Sequence, residues 1–480
     1  MTDLCVTVTG KNADAIRAAR VAAEPDADLV ELRVDSMTRP DPEAALAGRQ
    51  RPAIVTCRPR REGGLFEGSE EERLGILARA HAAGAEFIDI EWDAAIQPWL
   101  ESRRGRGVVV SRHVFAGDVH DAPGILNDLR RRGAEVAKLA VTTERASDLR
   151  PLLSAVRDDG SSVLIAMGAA GVATRVLAAR FGSRWTYAGP RVAPGQLPVS
   201  RLVREFHFRR IRPDADVYAL IGRPVVDSLS PAMHNAGFAA LGLNAVYVPL
   251  ETSDLEGLRA LALDLGIKGL SVTIPFKTDV VPLLDALDDH SAIAGAVNTI
   301  AIDFGHWFGS NTDADGFMEP LRAHMPDVNG MRVVILGAGG AARSVGLGLR
   351  QLGASVAFAA RRPEAAQEVA SFIGSDVAEW PPRAGSWDLL VNATPAGSRA
   401  QPGLPCELTL DGRIVYDLVY DPAPTALMRA AAAQGCTVLG GLAMLVAQAE
   451  HQFEIWTGQR PPEGLFIDAA TAAIRDRSLS

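Results

Sequence analysis

Short apolar runs alternate with helical stretches from residue 1 to about residue 210 of the chain. The runs predict eight β-strands: Leu4–Thr9, Leu29–Asp35, Ala53–Arg58, Phe87–Trp92, Val108–Phe115, Val136–Val141, Val163–Gly168 and Trp185–Gly189. Strands that alternate with helices form parallel βαβ units. Eight such units in a segment of about 200 residues predict a compact (β/α)8 barrel, and the alternative is an open doubly wound sheet.

A second series of elements begins near Pro213. Ser230-Pro231 is predicted to start a helix, because Ser is a good N-cap and Pro suits the first helical position, and Gly242 is placed to end that helix. A further strand runs into the Gly-rich turn of 331–342. The remaining predicted strands are Val217–Ile221, Ala245–Leu250, Gly269–Ile274, Ala296–Ile302 and Ala354–Ala360.

The two series predict an α/β protein of four parts. These are a TIM barrel over residues 1–212, an α/β substrate domain over 213–325, a Rossmann domain over 326–440, and C-terminal helices over 441–480 that return to the substrate domain. The segment 60–73 is rich in Gly and charge and is predicted to be a mobile loop after the third strand.

Polar residues share one face of five successive barrel strands. Alternation along a strand places these residues on common faces: Glu31, Arg33 and Asp35; Thr56 and Arg58; Asp89 and Glu91; Ser111 and His113; and Lys138. Since the opposite faces are apolar and pack on helices, we expect the charged faces to point into the barrel near the C-terminal strand ends, where barrel enzymes do chemistry. A purely structural role would require all these charges to neutralise one another.

These residue types point to imine chemistry. A Lys among Arg and other cationic groups in a partly dry pocket can act as a neutral nucleophile. A His on the neighbouring strand can move protons, and arginines can hold a substrate carboxylate bidentately. A class I aldolase barrel would use a lysine in a similar way and is one alternative.

The barrel segments resemble type I 3-dehydroquinate dehydratase. The matching stretches are 31–35, 56–58, 62–64, 111–113, 137–141, Arg175 before 181–183, and 193–196. The resemblance implies that Lys138 forms a Schiff base with the C3 ketone of 3-dehydroquinate, that His113 moves the C2 proton, and that Glu62 orients His113. It further implies that the substrate is held by Glu31, Arg33, Arg58, Arg175 and Gln196. Val192 stands where the family often has a Ser.

The turn at 337–342 fits the dinucleotide-binding pattern G-x-G-x-x-G/A between a strand and a helix. The next strand ends in Arg361-Arg362 instead of the acidic residue that an NAD site uses for its ribose diol. Two guanidinium groups suit a 2′-phosphate, so NADP is the predicted cofactor. Thr394, in the segment 392–395 after another strand, is placed to line the nicotinamide side.

Lys277 and Asp313 form a candidate proton-transfer pair, with a surface salt bridge as the alternative. The strings around them resemble shikimate dehydrogenase over about 215–475, which implies that this pair is catalytic. The resemblance implies that shikimate or 3-dehydroshikimate is contacted by Ser228, Ser230, Thr273, Asn298, Asp313, Tyr420 and Gln448. It implies that NADP is held by Gly337, Ala338, Gly339, Gly340, Ala341, Arg361 and Gly441, with Arg362 in support because Ala365 replaces a further Arg.

The composition of the chain limits the kinds of molecule that it is expected to bind. The chain has 480 residues, 48% of them apolar and 22% charged, and a formal net charge of −9. This balance argues against nucleic-acid binding through a broad basic surface but permits small anionic substrates. No apolar run approaches the roughly 20 residues that cross a bilayer. Four scattered cysteines and a strand pattern close to Met1 predict no disulfide framework, no metal site and a cytoplasmic protein.

The two resemblances fit one reaction sequence, because dehydration of 3-dehydroquinate gives the 3-dehydroshikimate that the second half would reduce. The sequence therefore predicts a bifunctional enzyme with small-molecule substrates. The alternatives are a quinate or shikimate dehydrogenase that works catabolically, and a non-catalytic regulator on the same folds that senses quinate-type ligands.

Overall fold

The computed structural model describes residues 2–116, 119–157, 159–190 and 193–478. Its contacts group the chain into two units, which are described separately. The first unit comprises Met1–Val217, Pro224–Pro231 and Asn244–Gly266, and the second comprises Tyr218–Arg223, Ala232–Leu243 and Ile267–Ser480. Within the first unit, the Arg150–Asp264 ion pair at 2.6 Å joins the 244–266 segment to the barrel elements. The four finer domain spans stay a prediction.

The first unit holds an eight-stranded parallel sheet in the order β7-β6-β5-β4-β3-β2-β1-β8. Its strands are β1 Asp3–Val8, β2 Leu29–Arg33, β3 Ala53–Thr56, β4 Phe87–Glu91, β5 Val108–Val114, β6 Val136–Thr142, β7 Ser162–Met167 and β8 Trp185–Ala188. The order is sequential, whereas a doubly wound sheet reverses, and Arg184 N donates to Ser162 O at 2.8 Å between the β8 and β7 ends. The barrel prediction is confirmed.

The barrel interior is layered along its axis. At the N-terminal ends of the strands the inward positions are apolar, and Cys5, Leu29, Ile54, Val109 and Val136 belong to one buried cluster. Two residues further along each of these five strands the inward positions become polar or charged. Period-2 alternation therefore builds a dry base below a polar chamber at the C-terminal ends.

Helices cover the barrel strands. They are α1 Ala13–Ala23, α2 Pro42–Leu46, α3 Glu70–Ala82, α4 Gln97–Arg103, α5 Ala122–Arg131, α6 Arg150–Ser154 and α7 Val172–Val176, with a π-helical turn at Arg201–Glu205. The predicted loop over 60–73 is wrong in its second part, because Ser69 and Glu72 form a capping box that starts α3 at Glu70. Arg73 consequently lies in a helix and is fully buried.

A second sheet has six strands in the order β10-β9-β11-β13-β14-β12. The strands are β9 Asp216–Gly222, β10 Ala245–Glu251, β11 Ile267–Val272, β12 Ala286–Leu287, β13 Thr299–Asp303 and β14 His306–Ser310. The associated helices are α8 Ser230–Ala240, α9 Leu258–Leu265, α10 Asp289–Ala294 and α11 Asp313–His324. Gly242 has φ +66° just after α8, as the helix-stop prediction requires.

The third sheet lies entirely in the second unit and is parallel, in the order β17-β16-β15-β18-β19-β20. Its strands are β15 Arg332–Leu336, β16 Ser355–Ala359, β17 Asp376–Val377, β18 Leu389–Asn392, β19 Ile414–Asp417 and β20 Thr437–Gly440. The helices are α12 Gly340–Gln351, α13 Pro363–Ile373, α14 Ala426–Ala433, α15 Gly441–Thr457 and α16 Leu465–Ser478. This is the Rossmann order 3-2-1-4-5-6, with its switch point between β15 and β18.

Among the described residues, no helix is both long enough and apolar enough to cross a bilayer. The same residues also contain no group of three or more His, Cys, Asp or Glu side chains that could hold a metal ion.

Candidate active sites

The polar chamber of the barrel forms a cavity. Every barrel residue that the sequence predicts for the site lies on its wall: Glu31, Arg33, Arg58, Glu62, His113, Lys138, Arg175 and Gln196. They come from β2, β5, β6, α7 and the loops that follow β3 and β8. Val192, which stands where the resemblance expects a Ser, lies outside the described residues.

Lys138 is buried on β6 and its amine is enclosed by acidic and aromatic groups. Its Nζ lies 2.9 Å from an Asp89 oxygen and 3.7 Å from a Glu31 oxygen. The Tyr187 ring centroid is 4.3 Å away. The expectation of mainly cationic neighbours is therefore wrong. Inward positions of β2 and β4 supply these carboxylates, and Asp89 lies between the amine and Arg58.

Two threonines fix the carboxylate of Glu31. Thr7 Oγ1 donates to one oxygen at 2.8 Å, and Thr56 Oγ1 donates to the other at 2.9 Å. All three side chains are buried. Since both carboxylate oxygens are held, Glu31 keeps a fixed orientation toward Lys138.

Arg58 forms ion pairs with both carboxylates of β4, Asp89 and Glu91. Its guanidinium lies 2.8 Å from Asp89 and 2.7 Å from Glu91. Ser111 donates to Asp89 at 2.5 Å. Burial pushes the pKa of Asp89 upward, but the Arg58 guanidinium and the Lys138 ammonium outweigh it and hold that pKa well below its usual range. Asp89 is therefore a fixed anion beside the amine.

His113 and Glu62 form a hydrogen-bonded pair on the same cavity. Glu62 Oε2 lies 2.9 Å from His113 Nδ1 and accepts from the His113 backbone N–H at 2.8 Å. Burial, together with the cationic Arg58 and Lys138, lowers the pKa of His113 well below its usual range. The imidazole is therefore neutral at pH 7. A proton on Nδ1, shared with Glu62, leaves Nε2 to accept another.

The backbone after β3 delivers Glu62 to the cavity through two glycines. A Cβ on Gly64 would lie 2.0 Å from the carbonyl oxygen of Arg58, so only glycine permits this approach. Burial raises the pKa of Glu62, although the His113 N–H opposes the shift. The close approach at Gly64 thus explains on steric grounds why glycine follows Glu62 in the sequence.

Arg175 differs from the other cations of the cavity. Arg33 makes two hydrogen bonds to Asp35, at 2.9 and 2.7 Å, and Arg58 and Lys138 also contact carboxylates. Arg175 is buried, donates to the Pro194 carbonyl at 3.2 Å, and has no acidic partner in the described part of the chain. Burial lowers its pKa to about 10. An unmatched buried cation on a cavity wall is a site for an anion.

Several cavity residues were not predicted. Thr7, Phe115 and Tyr187 line the wall, and Asp89 touches the amine from behind. Asp89 carried a signal, because it shares the inward face of β4 in the sequence. The other three are uncharged or apolar, and only their positions on or just after β1, β5 and β8 distinguish them.

The second unit contains the predicted Lys277–Asp313 pair. Lys277 Nζ donates to Asp313 Oδ2 at 2.5 Å, and Asn298 Nδ2 donates to Asp313 Oδ1 at 2.9 Å. Asp313 occupies the first turn of α11, where backbone N–H groups favour a carboxylate. The pair is anchored rather than a loose surface salt bridge, since Asp313 is buried.

Helix α15 packs beside this pair and contacts Asn298. Asn298 Nδ2 lies 3.4 Å from Gln448 Oε1, and Gln452 Nε2 donates to the Asn298 carbonyl at 3.0 Å. Thr273, after β11, and Tyr420, after β19, are half-buried. The remaining predicted residues of this group, Ser228 and Ser230, lie in the first unit with their hydroxyls 3.2 Å apart.

The turn after β15 has the geometry of a dinucleotide site. Gly337 has φ +113°, and a Cβ on Gly339 would meet open space. A Cβ on Gly340 would lie 2.8 Å from the Lys277 Cβ, so the turn adjoins the Lys277–Asp313 pair. Thr394 Oγ1 donates to Asn392 at 2.6 Å on the other side of the switch point.

The rest of the predicted cofactor set surrounds the same sheet edge. Arg361 and Arg362 follow β16, are exposed, and make no ion pair within the described ranges. Gly441 begins α15, where a Cβ would lie 2.1 Å from the Leu418 carbonyl oxygen. An open glycine cradle with two uncommitted guanidinium groups beside it fits a dinucleotide that carries a 2′-phosphate.

Family models match three parts of the chain. Type I 3-dehydroquinase matches residues 4–213, the shikimate dehydrogenase substrate binding domain matches 220–300, and the shikimate 5'-dehydrogenase C-terminal domain matches 441–471.

Curated relatives and solved structures are similar as well. A chloroplastic bifunctional 3-dehydroquinate dehydratase/shikimate dehydrogenase of Arabidopsis thaliana is 32% identical over 93% of this chain and 80% of its own length. A shikimate dehydrogenase (NADP(+)) of Methanopyrus kandleri is 41% identical over 55% of this chain and 97% of its own. The structure of Thermus thermophilus shikimate 5-dehydrogenase with NADP(H) and shikimate has a TM-score of 0.50 at 35% identity, covering 54% of this chain and 99% of that one.

Proposed function

Because the chain belongs to the family of bifunctional 3-dehydroquinate dehydratase/shikimate dehydrogenases, we propose that it catalyses two successive reactions. The barrel dehydrates 3-dehydroquinate to 3-dehydroshikimate. The second activity reduces 3-dehydroshikimate to shikimate with NADPH. The observation that carries the proposal is the barrel cavity, in which a buried amine, a neutral imidazole and an unmatched guanidinium share one wall.

The first reaction begins at Lys138. Its amine, once deprotonated, attacks the C3 ketone, and loss of water gives an imine. Protonation of that nitrogen makes it an electron sink for the neighbouring carbon. Asp89, 2.9 Å from Nζ, and Glu31, 3.7 Å away, stabilise the resulting positive charge.

His113 then transfers protons. Its neutral Nε2 accepts the C2 proton, and the imidazolium returns a proton to the C1 hydroxyl, which leaves as water. Glu62 stabilises the transient imidazolium through the 2.9 Å contact to Nδ1. Hydrolysis of the imine releases 3-dehydroshikimate and restores Lys138.

Arg175 is assigned to the substrate carboxylate. A carboxylate at this position would match the one cavity cation that lacks an acidic partner in the described residues. Arg33, Arg58 and Gln196 remain for the hydroxyl groups, because the two arginines are already committed to carboxylates of the protein.

In the second reaction NADPH supplies a hydride to the carbonyl carbon of 3-dehydroshikimate. Lys277 donates the proton that the developing alkoxide requires, and Asp313 holds the ammonium in place. Asn298 donates to the other oxygen of that carboxylate, and the same amide nitrogen lies 3.4 Å from Gln448 Oε1. The glycine turn 337–341 with Gly441 would hold the pyrophosphate side, Thr394 the nicotinamide side, and Arg361 with Arg362 the 2′-phosphate.

Two assays on the purified full chain test the proposal. With 3-dehydroquinate alone, enone absorbance should rise. With 3-dehydroshikimate and NADPH, the NADPH absorbance should fall. Absence of both signals from a folded protein would overturn the proposal. Faster oxidation of quinate with NAD than of shikimate with NADP would overturn the biosynthetic assignment of the second activity.

We also propose a cytoplasmic location and the domain spans 1–212, 213–325, 326–440 and 441–480. The location rests on four unpaired, mostly buried thiols, although the plant relative is named as chloroplastic. Fractionation of the source cells would test the location.

A further inference from the structure

A row of buried charged side chains of alternating sign runs away from the barrel cavity. Lys138 Nζ lies 2.9 Å from Asp89 Oδ2, and the same oxygen lies 2.8 Å from Arg58 Nη2. Arg58 Nη1 lies 2.7 Å from Glu91 Oε1, and Glu91 Oε2 pairs with Arg73 Nη1. The row therefore connects the amine to a guanidinium on helix α3.

Arg73 does not line the cavity. It is fully buried, and its other nitrogens make hydrogen bonds to both oxygens of Glu70, at 2.9 and 2.6 Å. Nη1 also donates to the Cys57 carbonyl at 3.3 Å. The guanidinium is thus held in one place by groups that have no role at the cavity.

Glu91 depends on the cations at its two ends. Its side chain has no solvent exposure, and burial raises its pKa even though Arg58 and Arg73 act in the opposite direction. Without Arg73, the Glu91 carboxylate would share a single guanidinium with Asp89. Asp89 would then be matched less by Arg58 and more by the ammonium form of Lys138.

We propose that Arg73 is a positioning residue for the dehydration, acting through Glu91 and Arg58 on the amine of Lys138. The inference rests on the proposed Schiff-base reaction. Arg73 keeps Arg58 turned toward Asp89, and its positive charge favours the neutral amine that attacks the ketone. Removal of that charge should therefore slow the attack of the amine at neutral pH.

The charge-changing variants below alter only Arg73 and Glu91 of the row. The other charged and titratable groups that line the cavity or surround the amine are unchanged: Cys5 on β1, Glu31 and Arg33 on β2, Arg58 and Glu62 after β3, Asp89 on β4, His113 on β5, Arg175 on α7 and Tyr187 on β8.

The experiment records the pH profile of dehydratase kcat for the full chain and its variants. Arg73→Met should lower kcat about tenfold at pH 7 and shift the ascending limb to higher pH by about one unit. Glu91→Gln, which removes a negative charge, should shift the limb to lower pH. Arg73→Met combined with Glu91→Gln should restore a limb close to that of the unmodified chain. Arg73→Lys should retain most of the activity at pH 7.

Arg79→Met is the matched control, because Arg79 lies on the same helix but is exposed and pairs with Glu43 at 3.5 Å. It should leave the profile unchanged. Shifts of opposite sign for the two single variants cannot arise from a merely structural role. If Arg73→Met does not fold, two results still test the inference. The pH limb of Glu91→Gln should shift to lower pH, and this shift should disappear in the double variant.

Unshifted limbs in active, folded variants would overturn the inference while leaving the proposed function standing. Failure of the unmodified chain to dehydrate 3-dehydroquinate would instead overturn the proposed function.

Discussion

The barrel and the second unit each contain a lysine paired with an aspartate, and the two pairs differ in their surroundings. Lys138 is 2.9 Å from Asp89, with its side chain 5% exposed and a second carboxylate, Glu31, at 3.7 Å. Lys277 is 2.5 Å from Asp313, with its side chain 14% exposed. It adjoins the glycine turn of the dinucleotide site through Gly340.

The difference shows how one residue type takes two chemical roles. Around Lys138, two anions are placed to stabilise a cationic imine, and a neutral imidazole shares the cavity. Around Lys277, an amide network fixes one carboxylate, so that the ammonium is held as a proton donor. The partners, and not the lysine itself, distinguish a nucleophile from an acid.

Removing each amine separately is expected to give the largest effect and tests whether Lys138 and Lys277 serve different reactions. Lys138→Met should reduce dehydration by about 10⁴-fold or more, because the covalent route is lost, and leave NADPH-dependent reduction unchanged. Lys277→Met should lower the kcat of reduction by about 10²–10⁴-fold and leave dehydration unchanged. Steady-state rates of both reactions on each variant test this, and each activity serves as the other's control.

A second test separates the two kinds of buried arginine in the barrel. Arg175→Met should raise the KM for 3-dehydroquinate about a hundredfold, since a charge-assisted contact to the substrate is lost. The same substitution should not lower the unfolding temperature, because removing Arg175 breaks no ion pair. Arg58→Met should destabilise the barrel by about 3–5 kcal/mol, because Asp89 and Glu91 stay buried without it.

Kinetics and thermal unfolding of both variants provide the measurement. A loss of stability in Arg175→Met as large as that in Arg58→Met would contradict the assignment of Arg175 to the substrate.

The cofactor preference gives a smaller effect. Replacing Arg361 and Arg362 together by Ser should raise the KM for NADPH about tenfold and leave the KM for NADH nearly unchanged, because only NADPH carries the 2′-phosphate. Titration of reduction rates with both cofactors tests this. Equal changes for NADPH and NADH would show that the arginines act on something other than that phosphate.

The smallest expected effect is the contribution of His113 to the pH dependence of stability. Burial lowers the folded pKa of His113 below the ordinary value of about 6.5, so the unfolded chain binds a proton that the folded barrel does not. Stability is therefore lost as the pH falls below about 6.5, by up to about 1.4 kcal/mol per unit. Urea unfolding between pH 7.5 and 5.5 should show a weaker decline in His113→Asn.

The exposed His306 of β14 provides the control. His306→Asn should decline with pH as the unmodified chain does. An identical decline in His113→Asn would contradict the neutral imidazole.

Alternation of polar and apolar positions was sufficient to predict the barrel and the charged residues that its strands bring to the cavity, whereas Glu62, Arg175 and Gln196 were predicted from the family resemblance. The inward register of β2, β5 and β6 places Glu31, His113 and Lys138 on one wall, as a period of two requires. The glycine turn was likewise predictable, because a dinucleotide site needs a tight turn and a close approach of the backbone. The two arginines were predictable from their place at the end of the next strand and from the charge that a 2′-phosphate requires.

Two features were not accessible from the pattern. The acidic contacts of Lys138 depend on which strands adjoin and on how each charge is already matched, which only the packed barrel determines. Arg73 was assigned to a loop because Gly and charge dominate its neighbourhood, whereas the Ser69–Glu72 capping box starts a helix there and buries it.

The central claim is that the Lys138 amine forms an imine with its substrate. Borohydride reduction of the full chain in the presence of 3-dehydroquinate, followed by peptide mass mapping, tests it most directly. We expect a stable adduct on Lys138 that is absent without substrate and absent in Lys138→Met. An adduct on another lysine, or dehydration without any trapped adduct, would contradict it.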